Sequence, residues 1–283
     1  MKVGLIPAAG GTFPTDPAVV TEVAQAAEAS GFDSIWVGEH VVMSPREAYP
    51  GADQNRLGPS PTGSLPDPLD WLTFAAAVTD TILLGTCILI LPLHSPLILA
   101  KRLATIDQLS GGRMRLGTGV GWSEDEYRAV GVDFHTRGRR CDEAIDAMRA
   151  LWANELASHD GEFFSFASVH SFPQPLGNAV PIWVGGDSEA AARRAGRRGD
   201  GYFPFGKDPA RLRELVAVAR QAAGDAGRDP DALELTCLGS RHRHIVEQNV
   251  ETGFTRMALF LPEATRSGVA RVAEQAAEVT AGL

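Results

Sequence analysis

Short apolar, β-branched runs alternate along the chain with longer stretches whose apolar residues recur every three to four positions. The first pattern belongs to buried strands and the second to amphipathic helices, so the chain reads as parallel strands joined by helices. Strands are predicted over residues 2–7, 34–39, 82–91, 113–119, 182–185, 201–205, 233–238 and 256–261. Helices are predicted over 17–30, 69–78, 96–109, 139–153, 188–197, 209–226, 244–252 and 264–280. Pro17 and Pro96 follow Asp16 and Ser95, the cap-then-proline order of a first helical turn. Gly31, Gly111 and Gly227 fall where a left-handed helix terminus is expected. Eight strand–helix units match the size of one (β/α)8 TIM barrel, here a single domain over residues 1–283. A doubly wound open sheet is the competing α/β arrangement. No linker or internal repeat divides the chain.

Two segments break the alternation and are read as insertions after strands two and four. Residues 43–67 are rich in Pro and Gly with few large apolar side chains. Residues 154–180 carry Phe163, Phe164, Phe166 and Phe172 between Gly and Pro, the composition of an inserted hairpin or irregular flap. Loops of this length inside a compact domain are usually functional or mobile. The first one follows strand two and so lies on the face where barrels build active sites.

Composition narrows the function classes. A 44% hydrophobic content over 283 residues supplies ample core, and a net charge of −9 argues against nucleic acid or an anionic membrane as partner. Cys87, Cys141 and Cys237 are sparse and form no CxxC pair, which points away from a disulfide framework or a metal site. The apolar run at the N-terminus is too short for a signal peptide, and that of residues 82–93 is too short and broken for a membrane span. A reducing cytoplasm is the expected location.

The residues with chemical potential gather at strand ends. Glu39 and His40 end strand two, Thr86 and Cys87 interrupt strand three, Gly117 to Trp122 end strand four, and Gly185 to Ser188 end strand five. One repeating pattern thus delivers four polar or glycine-rich breaks to the same rim. Gly185 and Gly186 run into the helix that begins near Ser188, an arrangement able to bind phosphate on unpaired N–H groups. Alternatively, Asp187 or Ser188 simply caps that helix and the two glycines form a tight turn. The Gly117-Thr118-Gly119-Val120-Gly121 run lacks the third spacing and the acidic residue of a dinucleotide fingerprint, and is read as room for a flat ring or close backbone. His40 is the candidate proton donor or acceptor; Glu39 is its candidate orienting partner, although adjacent strand residues point to opposite faces. Arg241 to His244 can form an anion patch and His135 to Arg140 can steer an anionic tail, though the default reading of both basic clusters is solvated surface.

The segments AEASGFDSIWVGEH (27–40), LGTCIL (84–89), ATIDQLSGGR (104–113), GTGVGW (117–122), PIWVGG (181–186) and RGDGY (198–202) together resemble the luciferase-like flavin monooxygenase superfamily. The similarity is greatest to the actinobacterial branch that uses coenzyme F420, a deazaflavin. The resemblance implies a TIM barrel, with a non-proline cis peptide at Cys87–Ile88 supporting the back of the ring and Gly185 and Gly186 at the phosphate. His40 matches a position close to the reactive edge of the ring. Glu39, Thr86, Cys87, Ile88, Gly119, Val120, Gly185, Gly186, Asp187 and Ser188 are accordingly the expected cofactor-binding residues. The sugar-phosphate dehydrogenase branch has a carboxylate where this chain has Val120 and an aromatic residue shortly after the histidine, where this chain has Val41-Val42-Met43-Ser44. These departures argue against that activity and leave His40 without an evident acid partner. The expectation is an F420-dependent oxidoreductase moving a hydride between the deazaflavin and a small organic substrate. An FMN-dependent monooxygenase served by a separate flavin reductase is the first alternative, and a non-catalytic flavin-binding barrel the second. A homodimer through barrel helices is expected from relatives.

Overall fold

A computed structural model of the chain describes residues 1–45 and 62–283. Part of the inserted loop at 43–67 therefore lies outside the described residues. The barrel strands are β1 (Lys2–Ile6), β2 (Ser34–Val37), β3 (Leu83–Thr86) with its continuation β4 (Leu89–Ile90), β5 (Met114–Gly119), β8 (Ile182–Gly185), β9 (Gly201–Phe203), β10 (Glu234–Leu238) and β11 (Arg256–Phe260). Their parallel pairings run β1–β2–β3–β5–β8–β9–β10–β11 and close through β11 onto β1. This is the predicted (β/α)8 barrel, and the open-sheet alternative falls. Helices α1 (Pro17–Ala29), α2 (Pro68–Ala77), α3 (Pro96–Ser110), α4 (Glu124–Val130), α5 (Arg137–Ala153), α6 (Glu189–Arg198), α7 (Pro209–Asp225), α8 (Arg243–Thr252) and α9 (Arg266–Thr280) complete the described elements with the hairpin β6 (Ala157–Asp160) and β7 (Ser165–Val169). Among the described residues no helix is long and apolar enough to cross a membrane.

Local chemistry explains the element ends. Asp16, Asp67 and Asp208 cap α1, α2 and α7 by accepting backbone N–H bonds, each directly before a proline. All four residues of β2 and of β8 are buried, as expected of parallel strands covered by helices outside and side chains inside. The interior is filled by large rings laid against glycines. Trp36 occupies the space that a side chain at Gly4 or Gly85 would need, and Trp183 does the same over Gly201. The two indoles meet edge to face with centroids 6.0 Å apart, and Phe203 joins Trp36 at 5.5 Å. Below them, buried Arg256 pairs with Asp33 at 2.8 Å and Glu234 at 2.5 Å, closing the N-terminal mouth. The lower barrel is therefore solid, and space for a ligand remains at the opposite rim.

Several predicted boundaries change for identifiable reasons. The non-proline cis peptide expected at Cys87–Ile88 is present and splits the strand predicted over 82–91. The strand predicted to Phe205 ends at Phe203, because the N–H groups of Phe205 and Gly206 bond the Asp187 carboxylate instead of a neighbouring strand. Helix α4 was not anticipated: seven residues are too few to show a helical period. The aromatic-rich insertion forms a hairpin in the expected place, between the helix that follows the fourth barrel strand and the fifth barrel strand. It folds back along α5, where Glu143 accepts the N–H bonds of Phe163 and Phe164 and Arg139 pairs with Glu162.

Candidate active site

A cavity of about 700 Å³ opens at the C-terminal ends of the barrel strands. His40, Glu39, Cys87, Ile88, Val120, Gly185, Gly186, Asp187 and Ser188 all line it, so most of the residues expected at the cofactor do meet in one space. Thr86 and Gly119 do not, and the reason is visible in each. Thr86 is fully buried and donates its hydroxyl to Gly117 O at 2.6 Å, tying β3 to β5. Gly119 lies under the Ile88 side chain, which fills the position its Cβ would take. Both residues support the bulge from behind and make no contact with the cavity.

The bulge itself is built by backbone placement. Cys87 N donates to Val37 O at 2.8 Å, and Glu39 N donates to Ile88 O at 3.3 Å, so β2 grips both sides of the cis bond. The Ile88 side chain is seated between Gly119 and Gly185, where any larger residue collides with it. Glu39, which lines the cavity, also makes structural bonds. Its carboxylate accepts the Ile90 N–H at 2.6 Å and pairs with His94 Nε2 at 2.9 Å. Glu39 thus fixes the chain just beyond the bulge, and its charge is spent there. The Cys87 thiol is pushed well above its ordinary range by burial, so it stays neutral.

His40 has an acid partner after all. Its Nδ1 lies 3.0 Å from Glu126 Oε2, and the Glu126 side chain is fully buried. The other oxygen, Oε1, accepts the Val41 N–H at 2.6 Å. Ser44 adds a hydroxyl bond to Asp125 at 2.6 Å, so the chain after β2 is docked on the first turn of α4. Helix α4 is placed by Ser123, whose hydroxyl accepts the Glu126 N–H at 3.1 Å. Trp122 packs edge to face on the imidazole with centroids 5.6 Å apart. With Nδ1 held by a carboxylate, Nε2 is the nitrogen available to a ligand. The sequence does carry a trace of this in Ser123-x-x-Glu126, the spacing of a helix-capping box. Nothing in that motif links residue 126 to residue 40.

The other end of the cavity gathers cationic side chains and a helix N-terminus. Ser188 caps α6 by accepting the Ala191 N–H at 3.2 Å, and the N–H groups before it have no intrahelical acceptor. Of the two alternatives for the cap, Ser188 is the residue used; Asp187 instead binds Phe205 N and Gly206 N at 2.7 Å each. Gly186 adopts φ +124°, a backbone that side-chain-bearing residues rarely take, and Tyr202 Oη pins its carbonyl at 2.9 Å. Arg137, Arg194 and Lys207 line this end. Arg194 is oriented by Asp142 at 2.5 Å and donates to Gly138 O at 3.0 Å. Arg137 stacks over Phe134 at 3.6 Å. Of the two readings of the 135–140 cluster, the cavity lining favours the anion-steering one for Arg137 and Gly138. Arg241 to His244 lie outside the cavity, with Arg243 paired to Glu247 at 2.8 Å, as a surface cluster would. No residue of the 154–180 insertion lines the cavity among the described residues.

The barrel rim thus joins a backbone bulge, a carboxylate-held imidazole and a cluster of cations in one cavity. The match to the luciferase-like monooxygenase family spans residues 5–278, and the chain belongs to that family. It is 30% identical over 225 residues to the F420-dependent glucose-6-phosphate dehydrogenase of Mycobacterium tuberculosis, covering 77% of this chain and 62% of that one. Among solved structures, monooxygenase RslO1 from Streptomyces bottropensis superposes with a TM-score of 0.79 at 21% identity, over 99% of this chain and 98% of the other. An F420-dependent secondary alcohol dehydrogenase in complex with an F420–acetone adduct gives 0.78 at 20% identity, over 96% and 97%. Family membership makes the chain an oxidoreductase enzyme, and the non-catalytic alternative loses the ground it stood on, the missing partner of His40.

Proposed function

We propose that the chain is a coenzyme F420-dependent oxidoreductase acting on a small organic substrate. The observation that carries this reading is the continuity of the cavity from the cations around Gly186 to the Ile88 bulge and on to His40. The residues fit such a cofactor. The cradle at Gly186 is open because no Cβ stands there, its first helical turn offers N–H donors, and Arg137, Arg194 and Lys207 supply positive charge for a phosphate. Ile88, propped on Gly119 and Gly185, presents an apolar face on which a flat ring can rest. A bound deazaflavin supplies a ring carbon that takes or gives a hydride.

The protein's own part is positioning and proton handling. His40 Nε2 takes the proton from a substrate hydroxyl in the oxidative direction and returns it to a carbonyl oxygen in the reductive one. Glu126 holds the imidazole in one orientation and stabilises it when protonated. The chain after β2, docked on α4, keeps water away from that side. The kinship with an F420-dependent dehydrogenase supports the deazaflavin. The likeness to a monooxygenase supports a second reading, in which FMN occupies the same cradle and a separate reductase supplies electrons. Titrating the protein with F420 and with FMN separates the two. Binding of F420 at least tenfold tighter than FMN is expected; the reverse order overturns the proposal in favour of the second reading.

A further inference from the structure

We infer that the end of the cavity facing the anion cradle takes an uncharged, mainly apolar substrate and excludes a phosphorylated sugar. This rests on reading the cradle as the cofactor's site. The charged residues that line the cavity are Glu39, Arg137, Asp187, Arg194 and Lys207 among the described residues. Glu39 is committed to Ile90 and His94, and Asp187 to Phe205 and Gly206. The three cations belong to α5, α6 and the chain after β9, all at the cradle.

The strand order then decides what faces them. In a closed ring of eight, the ends of β1 and β2 stand opposite those of β8 and β9. The opposite wall is formed by Ile6 at the end of β1, Phe13 in the chain after it, Leu65 in the chain between β2 and α2, and Phe260 at the end of β11, which pairs with β1. Phe13 is fixed in place by its N–H bond to Ser64 O at 2.9 Å, so this wall is part of the fold. No lysine or arginine of the described residues stands on it. A phosphate dianion moved from water to such a wall loses its hydration without a compensating partner. An alkyl or cycloalkyl group gains there by burial, and His40 beside it supplies the single polar contact that a carbonyl or hydroxyl needs. Val120, standing on the cavity where a carboxylate is absent, fits the same description. The dehydrogenase relative is named for a sugar phosphate; this cavity differs from that specification in its chemistry.

Calorimetric titration with cyclohexanone and its 4-methyl, 4-ethyl and 4-propyl derivatives tests the inference, run with and without saturating F420. Affinity is expected to rise about fourfold per added methylene, the yield of one buried CH2 group. Glucose 6-phosphate, titrated alongside, is expected to bind at least 100-fold more weakly than the propyl ketone. Phe260→Arg, checked for retained fold by circular dichroism, is expected to cost the propyl ketone at least tenfold while leaving F420 affinity within threefold. A flat ketone series in both conditions, or glucose 6-phosphate binding more tightly than every ketone, overturns the inference. Failure of F420 and FMN to bind, with the ketone gradient intact, would instead remove the cofactor reading and leave the substrate class standing.

Discussion

His40 Nδ1 and Glu126 Oε2 lie 3.0 Å apart, joining a strand-end histidine to the first turn of a helix 86 residues later in the chain. The carboxylate is fully buried and divides its two oxygens between the imidazole and the Val41 amide. One side chain therefore fixes both the catalytic candidate and the backbone that follows it.

The two residues should act as a unit. His40→Ala is expected to lower single-turnover hydride transfer about 100-fold or more, the loss typical of a removed proton carrier. Glu126→Ala should lower it at least tenfold by freeing the imidazole, and should also destabilise the protein by about 1–3 kcal/mol, because the Val41 N–H loses its acceptor. The double variant should be little worse than His40→Ala alone. Deazaflavin absorbance under single-turnover conditions reads all three. Fully additive losses would mean that Glu126 acts elsewhere.

Glu39 is expected to matter through the bulge and not through direct cofactor contact. Glu39→Ala removes the acceptor of the buried Ile90 N–H and leaves His94 unpaired, at about 1–3 kcal/mol of stability. Amide hydrogen exchange at Ile90 should quicken, and cofactor affinity should fall as Ile88 loses its fixed seat. Glu39→Gln, which keeps an acceptor oxygen for Ile90, should recover most of the affinity. A glutamine variant as weak as the alanine variant would restore the direct-contact reading.

Cofactor affinity should also respond to the cradle. Gly186→Val places a branched side chain at φ +124° and against Ala191, so affinity should drop by about 100-fold or more with the barrel still folded. Lys207 is exposed and carries a charge that salt screens, so Lys207→Ala should cost only a few-fold and should flatten the salt dependence of binding. Fluorescence titration at two ionic strengths distinguishes the two effects. A Gly186→Val variant with unchanged affinity would detach the phosphate from this turn.

The barrel was legible because its signal is periodic. Ser34 to Val37 and Ile182 to Gly185 are short apolar runs between helices, and the closed sheet follows from eight repeats of that pattern. The rim was legible for the same reason: Cys87, Ile88, Gly185 and Gly186 sit at strand ends wherever the register falls by one or two residues. What stayed hidden were the partnerships. Glu126 lies on a helix of seven residues, too short for a period, and its tie to His40 spans loops that carry no pattern. Lys207 carries no motif in the sequence, and only the fold brings it and Arg137 into the lining of one cavity with Gly186. Thr86 and Gly119 do end their strands, but neither the bond of the Thr86 hydroxyl to Gly117 O nor the seat of Ile88 over Gly119 leaves a trace in the sequence.

Alkaline stability should follow the buried thiols. Burial pushes Cys141 and Cys237 up from an ordinary value of 9.0 to about 12, and moves Cys87, Tyr127 and Tyr202 in the same direction. In the unfolded chain these thiols lose their protons near the ordinary value, whereas the folded chain keeps them. Between pH 9 and 12 the folded state therefore binds more protons, and its stability falls as pH rises. Each thiol contributes up to about 1.4 kcal/mol per pH unit across that window, and nothing below it. Urea unfolding at half-unit steps from pH 8 to 10.5 should show a plateau followed by this decline. The Cys141→Ala, Cys237→Ala double variant should start lower, from lost packing, and then decline less steeply. Equal slopes for the two proteins would assign the alkaline loss to groups other than these thiols.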